Sequence, residues 1–146
     1  MIGAKEYLMK IRLWDARIEA SQREIDMLMA MVTRVTPVLK DDVVSSSGNQ
    51  DKLGDAVAKI ADLRAKINRD IDTLVDMKKA ALGLLQKVNK AEYYTILHKR
   101  YFEFQTLEQI AVDMNYTYRW MNRLHGRALQ AFDKILQESV EECHKP

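Results

Sequence analysis

The sequence predicts an all-α protein, with a long antiparallel, coiled-coil-like helical hairpin followed by a helix-turn-helix. Three observations support this prediction. The 146 residues include only five glycines and two prolines, so helix breakers are few. Two long segments repeat apolar residues at steps of three and four, the spacing of one face of a helix. Finally, "TLEQIAVDMNYTYRWMNRLHGRAL" at 106–129 joins two shorter apolar patterns of the same period at "NYT".

The first predicted helix extends over residues 7–35. Its apolar positions alternate steps of four and three, with Ser21 as the one polar interruption, which is typical of a coiled-coil seam. The predicted seam is Tyr7, Ile11, Trp14, Ile18, Ser21, Ile25, Leu28, Val32 and Val35. We expect Pro37 to end the helix, because the residue before a proline is pushed out of helical geometry. The polar run "DDVVSSSGNQDKLG" then predicts a flexible connection with a disordered loop of about ten residues.

A second long helix is predicted from about Asp51, with a wider and less regular apolar stripe. Its predicted members are Leu53, Val57, Ile60, Ile67, Ile71, Leu74, Ala81, Leu85 and Val88, with Leu63, Met77 and Leu84 sharing the contact where Arg64 and Lys78 interrupt it. Long helices draw most of their stability from packing an apolar face. We therefore expect residues 1–90 to form a hairpin that also forms homo-oligomers. The methionines Met27, Met29, Met31 and Met77 are interpreted as core-filling side chains rather than as a binding surface.

Residues 91–138 are predicted to form a second, helical domain, and residues 139–146 a tail. A short helix at about 91–102 comes first. Thr106 and Gln109 have the spacing of a capping box at the start of the next helix. Asn115 suits the left-handed backbone at the end of that helix. A cap at Thr117 then begins a helix predicted over 118–136, whose buried stripe would be Met121, Leu124, Ala128, Phe132 and Ile135.

The last predicted helix has three arginines and no acid between Thr117 and Gln130, although the whole chain has 23 basic and 21 acidic residues. A carboxylate there would repel phosphate, so its absence indicates a nucleic-acid partner. A solvated face of an ordinary helical bundle stays open as the alternative. Gly126 either lets a DNA backbone come close or is merely tolerated. The residues predicted to contact DNA phosphates are Lys99, Arg100, Thr106, Thr117 and Arg127.

Residues 97–136 resemble region 4 of the sigma factors of bacterial RNA polymerase. The resemblance rests on "RY", then "TLEQIA", a turn, and a helix ending in "RAL". The chain is more closely similar to phage and prophage proteins of the ArpU-like type, late transcription regulators of Gram-positive hosts, because "RLHGRAL" and the long helical segment before the motif both fit that group. The specific match covers about 40 residues. It implies recognition of double-stranded DNA in the major groove, with RNA polymerase as a candidate further partner.

By this resemblance the base-reading residues are Tyr118, Arg119, Trp120, Asn122 and Arg123. Sigma factors usually have charged or polar residues at the positions of Tyr118 and Trp120, and a glycine at the position of Asn115. These departures argue against recognition of the host's ordinary upstream promoter element. No segment before Ala91 resembles the sigma region that melts DNA, so a self-sufficient sigma factor is not expected.

The sequence predicts no enzyme, metal or cofactor. It lacks glycine-rich phosphate loops, serine elbows and paired catalytic carboxylates, and its three histidines and one cysteine do not have metal-ligand spacing. With no apolar segment near ~20 residues, we expect a protein of the bacterial cytoplasm without membrane contact. Two other functions stay open. One is a small terminase-like subunit that recognises a phage packaging site, and the other is a protein that binds an acidic protein surface through its basic helix.

Overall fold

The computed structural model describes residues 2–41 and 47–145, and every regular element in these residues is an α-helix. The elements are α1 (Ala4–Asp41), α2 (Ser47–Leu85), α3 (Ala91–Tyr101), α4 (Leu107–Asp113) and α5 (Tyr118–His144). The all-α prediction is therefore confirmed. Among the helices of these two described ranges, none is both long and apolar enough to cross a bilayer.

Three helix boundaries differ from the predictions. The prediction that Pro37 ends the first helix is wrong, because α1 continues through it to Asp41. A proline inside a helix removes one N–H donor and crowds one preceding carbonyl, which weakens a helix locally without always ending it. α2 begins at Ser47, so residues 47–54 of the predicted connection are helical, and residues 42–46 lie outside the described residues. α5 extends to His144, so most of the predicted tail at 139–146 is helical.

The chain packs as two compact units, one of residues 1–14 and 74–146 and the other of residues 15–73. This division differs from the predicted boundary between residues 90 and 91. The reason is that the beginning of α1 packs on α5. The backbone N–H of Ala4 donates to Oδ1 of Asp133 at 2.6 Å, and the rings of Tyr7 and Phe132 lie 5.8 Å apart.

In the unit of residues 15–73, α1 and α2 pack through an apolar cluster that contains the buried Ile25, Ile60 and Ile67. An ion pair between Lys59 Nζ and Glu24 Oε1, 3.1 Å apart, also joins the two helices. Every predicted seam position of α1 from Tyr7 to Val32 is buried or half-buried, which confirms that stripe. The side chain of Val35 lies outside the described part of the chain.

The predicted stripe of α2 is wrong at Val57 and Ile71, which are 53% and 41% exposed. Ala56 and Asp70, one residue earlier in each case, take the inward positions. The least exposed residues in this part of α2 are Leu53, Ala56, Ile60, Leu63, Ile67 and Asp70, at regular steps of three and four. The regular pattern was obscured because an alanine and an acid occupy two of its positions. One Asp70 oxygen, Oδ2, is buried without a hydrogen-bond partner.

The methionines of α1 do not fill the core of the chain. Met27, Met29 and Met31 are 64%, 43% and 56% exposed, whereas Met77 of α2 is half-buried. The interpretation of the first three as core-filling side chains is therefore wrong for the single chain. They add apolar surface to α1 that the described residues leave open to solvent.

In the other unit, α3, α4 and α5 pack around a core of Ile96, Ile110, Ala111, Met121 and Leu124. The predicted stripe of α5 is confirmed, because Met121, Leu124, Ala128 and Phe132 are buried and Ile135 is half-buried. Burial of this stripe fixes which side of α5 faces outward.

Candidate nucleic-acid interface

Three local backbone signals set where α4 begins, where it ends and where α5 begins. Thr106 and Gln109 form a capping box: Thr106 Oγ1 accepts the Gln109 N–H at 3.2 Å, and Gln109 Oε1 accepts the Thr106 N–H at 2.9 Å. Asn115 has a φ of 59°, and the N–H of Tyr116 after it donates to the carbonyl of Ala111 at 2.8 Å, a Schellman arrangement. Thr117 Oγ1 accepts the Trp120 N–H at 3.1 Å. The predicted caps and the left-handed residue are confirmed.

The packing of α4 on α5 uses a small residue at the contact. Ala111 is 3% exposed and shares the core with Met121 and Leu124 of α5 and Ile96 of α3. A larger side chain at this position would push the two helices apart, because protein interiors are close-packed. The short connection and this close contact hold the first turns of α5 in a fixed position on α4.

The five residues predicted to read bases all lie on the exposed start of α5. Arg119, Asn122 and Arg123 are exposed, and Tyr118 and Trp120 are 50% and 36% exposed. Asn122 uses part of its amide within the helix, because its Nδ2 donates to the carbonyl of Tyr118 at 3.1 Å. An arginine here offers a fork of N–H donors that fits two acceptors at once, on a guanine edge or on a phosphate.

The five residues predicted to contact phosphates are not equivalent. Arg127 is exposed, and its guanidinium lies 5.4 Å from the ring centre of Trp120. Thr106 and Thr117 accept backbone N–H groups through their hydroxyl oxygens, which leaves each hydroxyl proton for donation. Lys99 and Arg100 are only half-exposed and are already engaged. The bonds are from Lys99 Nζ to Asp113 Oδ2 at 3.5 Å and from Arg100 Nη1 to the Gln105 carbonyl at 3.1 Å.

The acid-free part of α5 ends at Asp133, whose carboxylate is drawn to the start of α1. Its Oδ1 accepts the N–H of Ala4, the first residue of α1. A helix N-terminus has a partial positive charge, so this contact offsets the negative charge of Asp133. Sequence reasoning missed the contact, because nothing local to Asp133 indicates that the chain start packs against it.

A second contact missed by sequence reasoning joins His125 of α5 to Tyr101 of α3. The Tyr101 hydroxyl and His125 Nε2 lie 2.9 Å apart, and the two rings stack. Burial, followed by the nearby charges of Arg100 and Lys5, lowers the pKa of the His125 imidazole from 6.5 to about 4. Burial raises the pKa of Tyr101 to about 12. At neutral pH both groups are therefore uncharged.

The pKa shift of His125 predicts a pH dependence of stability. Between pH 6.5 and about 4 the unfolded chain binds a proton at His125 and the folded protein does not, so the free energy of unfolding should fall as the pH is lowered through this window. His125→Gln should lack this component. Urea unfolding of the wild type and the variant from pH 7.5 to 3.5 measures this component. Carboxylates titrate in both proteins, so the difference between the two stability curves isolates the contribution of His125. Parallel stability curves would contradict the assignment.

Two further features of this unit were not predicted. Val112 of α4 is 76% exposed, and the hydroxyl of Tyr116 donates to Glu92 of α3. In the part of the chain that the structure describes, no group of three or more histidine, cysteine or acidic side chains could hold a metal ion.

Comparison with family models, curated proteins and solved structures gave no match to this chain.

Proposed function

We propose that α4, residues 114–117 and α5 form a helix-turn-helix that binds double-stranded DNA, with the start of α5 in the major groove. The observation that supports this most strongly is the outward face of α5. It exposes Arg119, Arg123 and Arg127 with no acid between Thr117 and Gln130. Phosphate contacts supply most of the affinity of proteins for DNA and depend on such basic surfaces.

The geometry of the α4–α5 connection also supports the proposal. A DNA-reading helix must be held by its neighbour while its outer side stays free. Here Met121 and Leu124 are buried against α3 and α4, whereas Arg119 and Arg123 are exposed. Among the described residues, no carboxylate lies within ion-pair distance of either arginine. Both guanidinium groups are therefore ready to bind an external anion.

We assign different roles to the side chains of this surface. Arg119, Asn122 and Arg123, with the aromatic Tyr118 and Trp120, face the base edges. Arg127 and the two capping threonines contact phosphates, which orient the protein without reading sequence. Lys99 and Arg100 contribute to the local positive potential, because their direct hydrogen bonds go to other parts of the protein.

We further propose that α1 and α2 form an antiparallel hairpin through which the chain associates. Two DNA-binding units joined in this way would match two half-sites on one duplex. The biological role we propose is regulation of transcription of the phage or prophage type, in keeping with the resemblance of residues 97–136 to sigma region 4 and to ArpU-like proteins. Recognition of a packaging site by a small terminase-like subunit is the second candidate.

Selection of bound fragments from phage and host genomes tests the proposal and separates the two roles. Sequencing of DNA retained by the full chain should give discrete peaks ahead of structural genes if it regulates late transcription. A single peak near terminase genes would support packaging instead. Recovery of genomic DNA without any enriched sequence would contradict sequence-specific binding.

Gly126 provides a prediction in which stability and DNA binding change in opposite directions. A Cβ at this position would meet no heavy atom within 4 Å other than those of its neighbours in the chain and the backbone of its own helix, so Gly126→Ala should stabilise α5 by up to about 1 kcal/mol. If DNA approaches the helix backbone here, the same methyl group should weaken DNA binding. Thermal unfolding and titration with duplex DNA measure the two effects. A variant that is more stable and binds DNA with unchanged affinity would show that Gly126 is only tolerated.

A further inference from the structure

α1 has a second apolar stripe on a different side from its contact with α2. We define this outer stripe as Ala16, Ala20, Met27 and Met31, which are all exposed. At 3.6 residues per turn, their steps of four, seven and four place them on one face. All four lie in the unit of residues 15–73, so the inference depends on that unit alone. Met27 and Met31 are 64% and 56% exposed, so both side chains leave apolar surface in contact with water.

We propose that the outer stripe binds the outer stripe of a second copy of this chain, with the two α1 helices antiparallel. In the proposed register Ala16 lies opposite Met31 of the second copy, and Ala20 lies opposite Met27. The two-fold axis passes between Arg23 and Glu24. This proposal deepens the association proposed for residues 1–90 and does not require that the protein bind DNA.

The sizes of the side chains favour this register. Each long methionine meets a small alanine, which provides room for it, and the same pairing recurs on both sides of the axis. Closely packed helices interdigitate when a large residue on one helix faces a small residue on the other. Methionine is also flexible enough to fill an irregular gap between helices. With the helices parallel and in register, methionine would face methionine and alanine would face alanine, which leaves the stripe alternately crowded and open.

The charges at the centre of the stripe favour the same orientation. Between Ala20 and Met27, the antiparallel register brings Arg23 of one copy to Glu24 of the other, and the two-fold axis repeats the pair. The parallel register would place Arg23 against Arg23, and like charges across an interface are unfavourable. Glu24 pairs with Lys59 of its own chain through Oε1, and its second carboxylate oxygen can accept from an arginine.

Cysteine cross-linking tests the register without DNA. In a Cys143→Ser background, which removes the exposed native thiol, chains with Ala20→Cys are mixed with tagged chains with Met27→Cys and treated with a short thiol cross-linker. The mixed 20–27 product should form, and each variant alone should cross-link poorly. Gln22→Cys, exposed on a different side of α1, is the control and should not cross-link. Efficient linking of each single variant to itself would indicate parallel helices and overturn the proposal.

Disruption of the stripe tests whether it holds the copies together. Met27→Glu with Met31→Glu changes only exposed side chains and should raise the dissociation constant for self-association on the order of a hundredfold, because two methionines lose their apolar contact. Val57→Glu, an exposed apolar residue of α2 in the same unit, is the matched control and should leave association unchanged. Sedimentation equilibrium measures both. A monomeric wild-type chain, or equal disruption by the control, would overturn the inference. A wild-type monomer that still binds DNA would leave the proposed DNA binding intact.

Discussion

Arg123→Ala is expected to weaken binding to the preferred DNA sequence by roughly 1–3 kcal/mol and to relax sequence choice at one position. Arg123 is exposed near the start of α5, on the side opposite to the buried Met121 and Leu124. Its guanidinium can make two hydrogen bonds to a guanine, and truncation to alanine removes both. Titration of the variant with the selected duplex, and with duplexes altered at one position each, measures affinity and specificity together.

Two matched variants separate base reading from phosphate contact. Arg127→Ala should weaken binding to all sequences about equally, since Arg127 is assigned to the DNA backbone. Lys134→Ala, on an exposed part of the same helix beyond the acid-free segment, should have little effect. Equal losses on random and preferred DNA for Arg123→Ala would place Arg123 on a phosphate and contradict its assignment as a base-reading residue.

Phe132→Ala is expected to reduce the free energy of unfolding by about 3–5 kcal/mol, the usual range for loss of a buried aromatic side chain. Phe132 is 0% exposed, and its ring lies 5.8 Å from that of Tyr7. The truncation therefore leaves a cavity where α5 meets the beginning of α1. Equilibrium urea unfolding measures the loss. Lys134→Ala, an exposed change two residues away, should remain within about 0.5 kcal/mol of the wild type, and a similarly small loss for Phe132→Ala would contradict the packing described.

The all-α fold and much of the local structure near the candidate interface could be predicted from the sequence, because those signals act over a few residues. A threonine before a helix accepts the N–H three residues later, as Thr106 and Thr117 do. Asparagine tolerates a positive φ, and Asn115 adopts one. The stripe from Met121 to Phe132 follows from helical period alone.

Other features were not predictable, because they depend on residues far apart in the chain or on competition between neighbours. The inward stripe of α2 passes through Asp70 instead of the apolar Ile71, and a hydrophobicity pattern cannot favour an acid over isoleucine. The contact of Asp133 with Ala4 joins positions 129 residues apart. The depressed pKa of His125 depends on burial against Tyr101 and on charges from two other helices. Pro37 was assigned too much weight, since a proline weakens a helix locally without always ending it, and α1 continues to Asp41.

The salt dependence of DNA affinity tests most directly whether the acid-free face of α5 binds DNA. For the wild-type chain, the logarithm of the binding constant for random duplex DNA should fall linearly with the logarithm of salt concentration, by about 0.9 for each phosphate neutralised. Replacement of Arg119, Arg123 and Arg127 by glutamine should make that slope shallower by at least about 0.9, because Arg127 is assigned to a phosphate. The control replaces three exposed cations of α2, Lys52, Lys66 and Arg69, by glutamine and should keep the wild-type slope. A wild-type slope near zero, or the same slope in the α5 variant as in the wild type, would contradict the account.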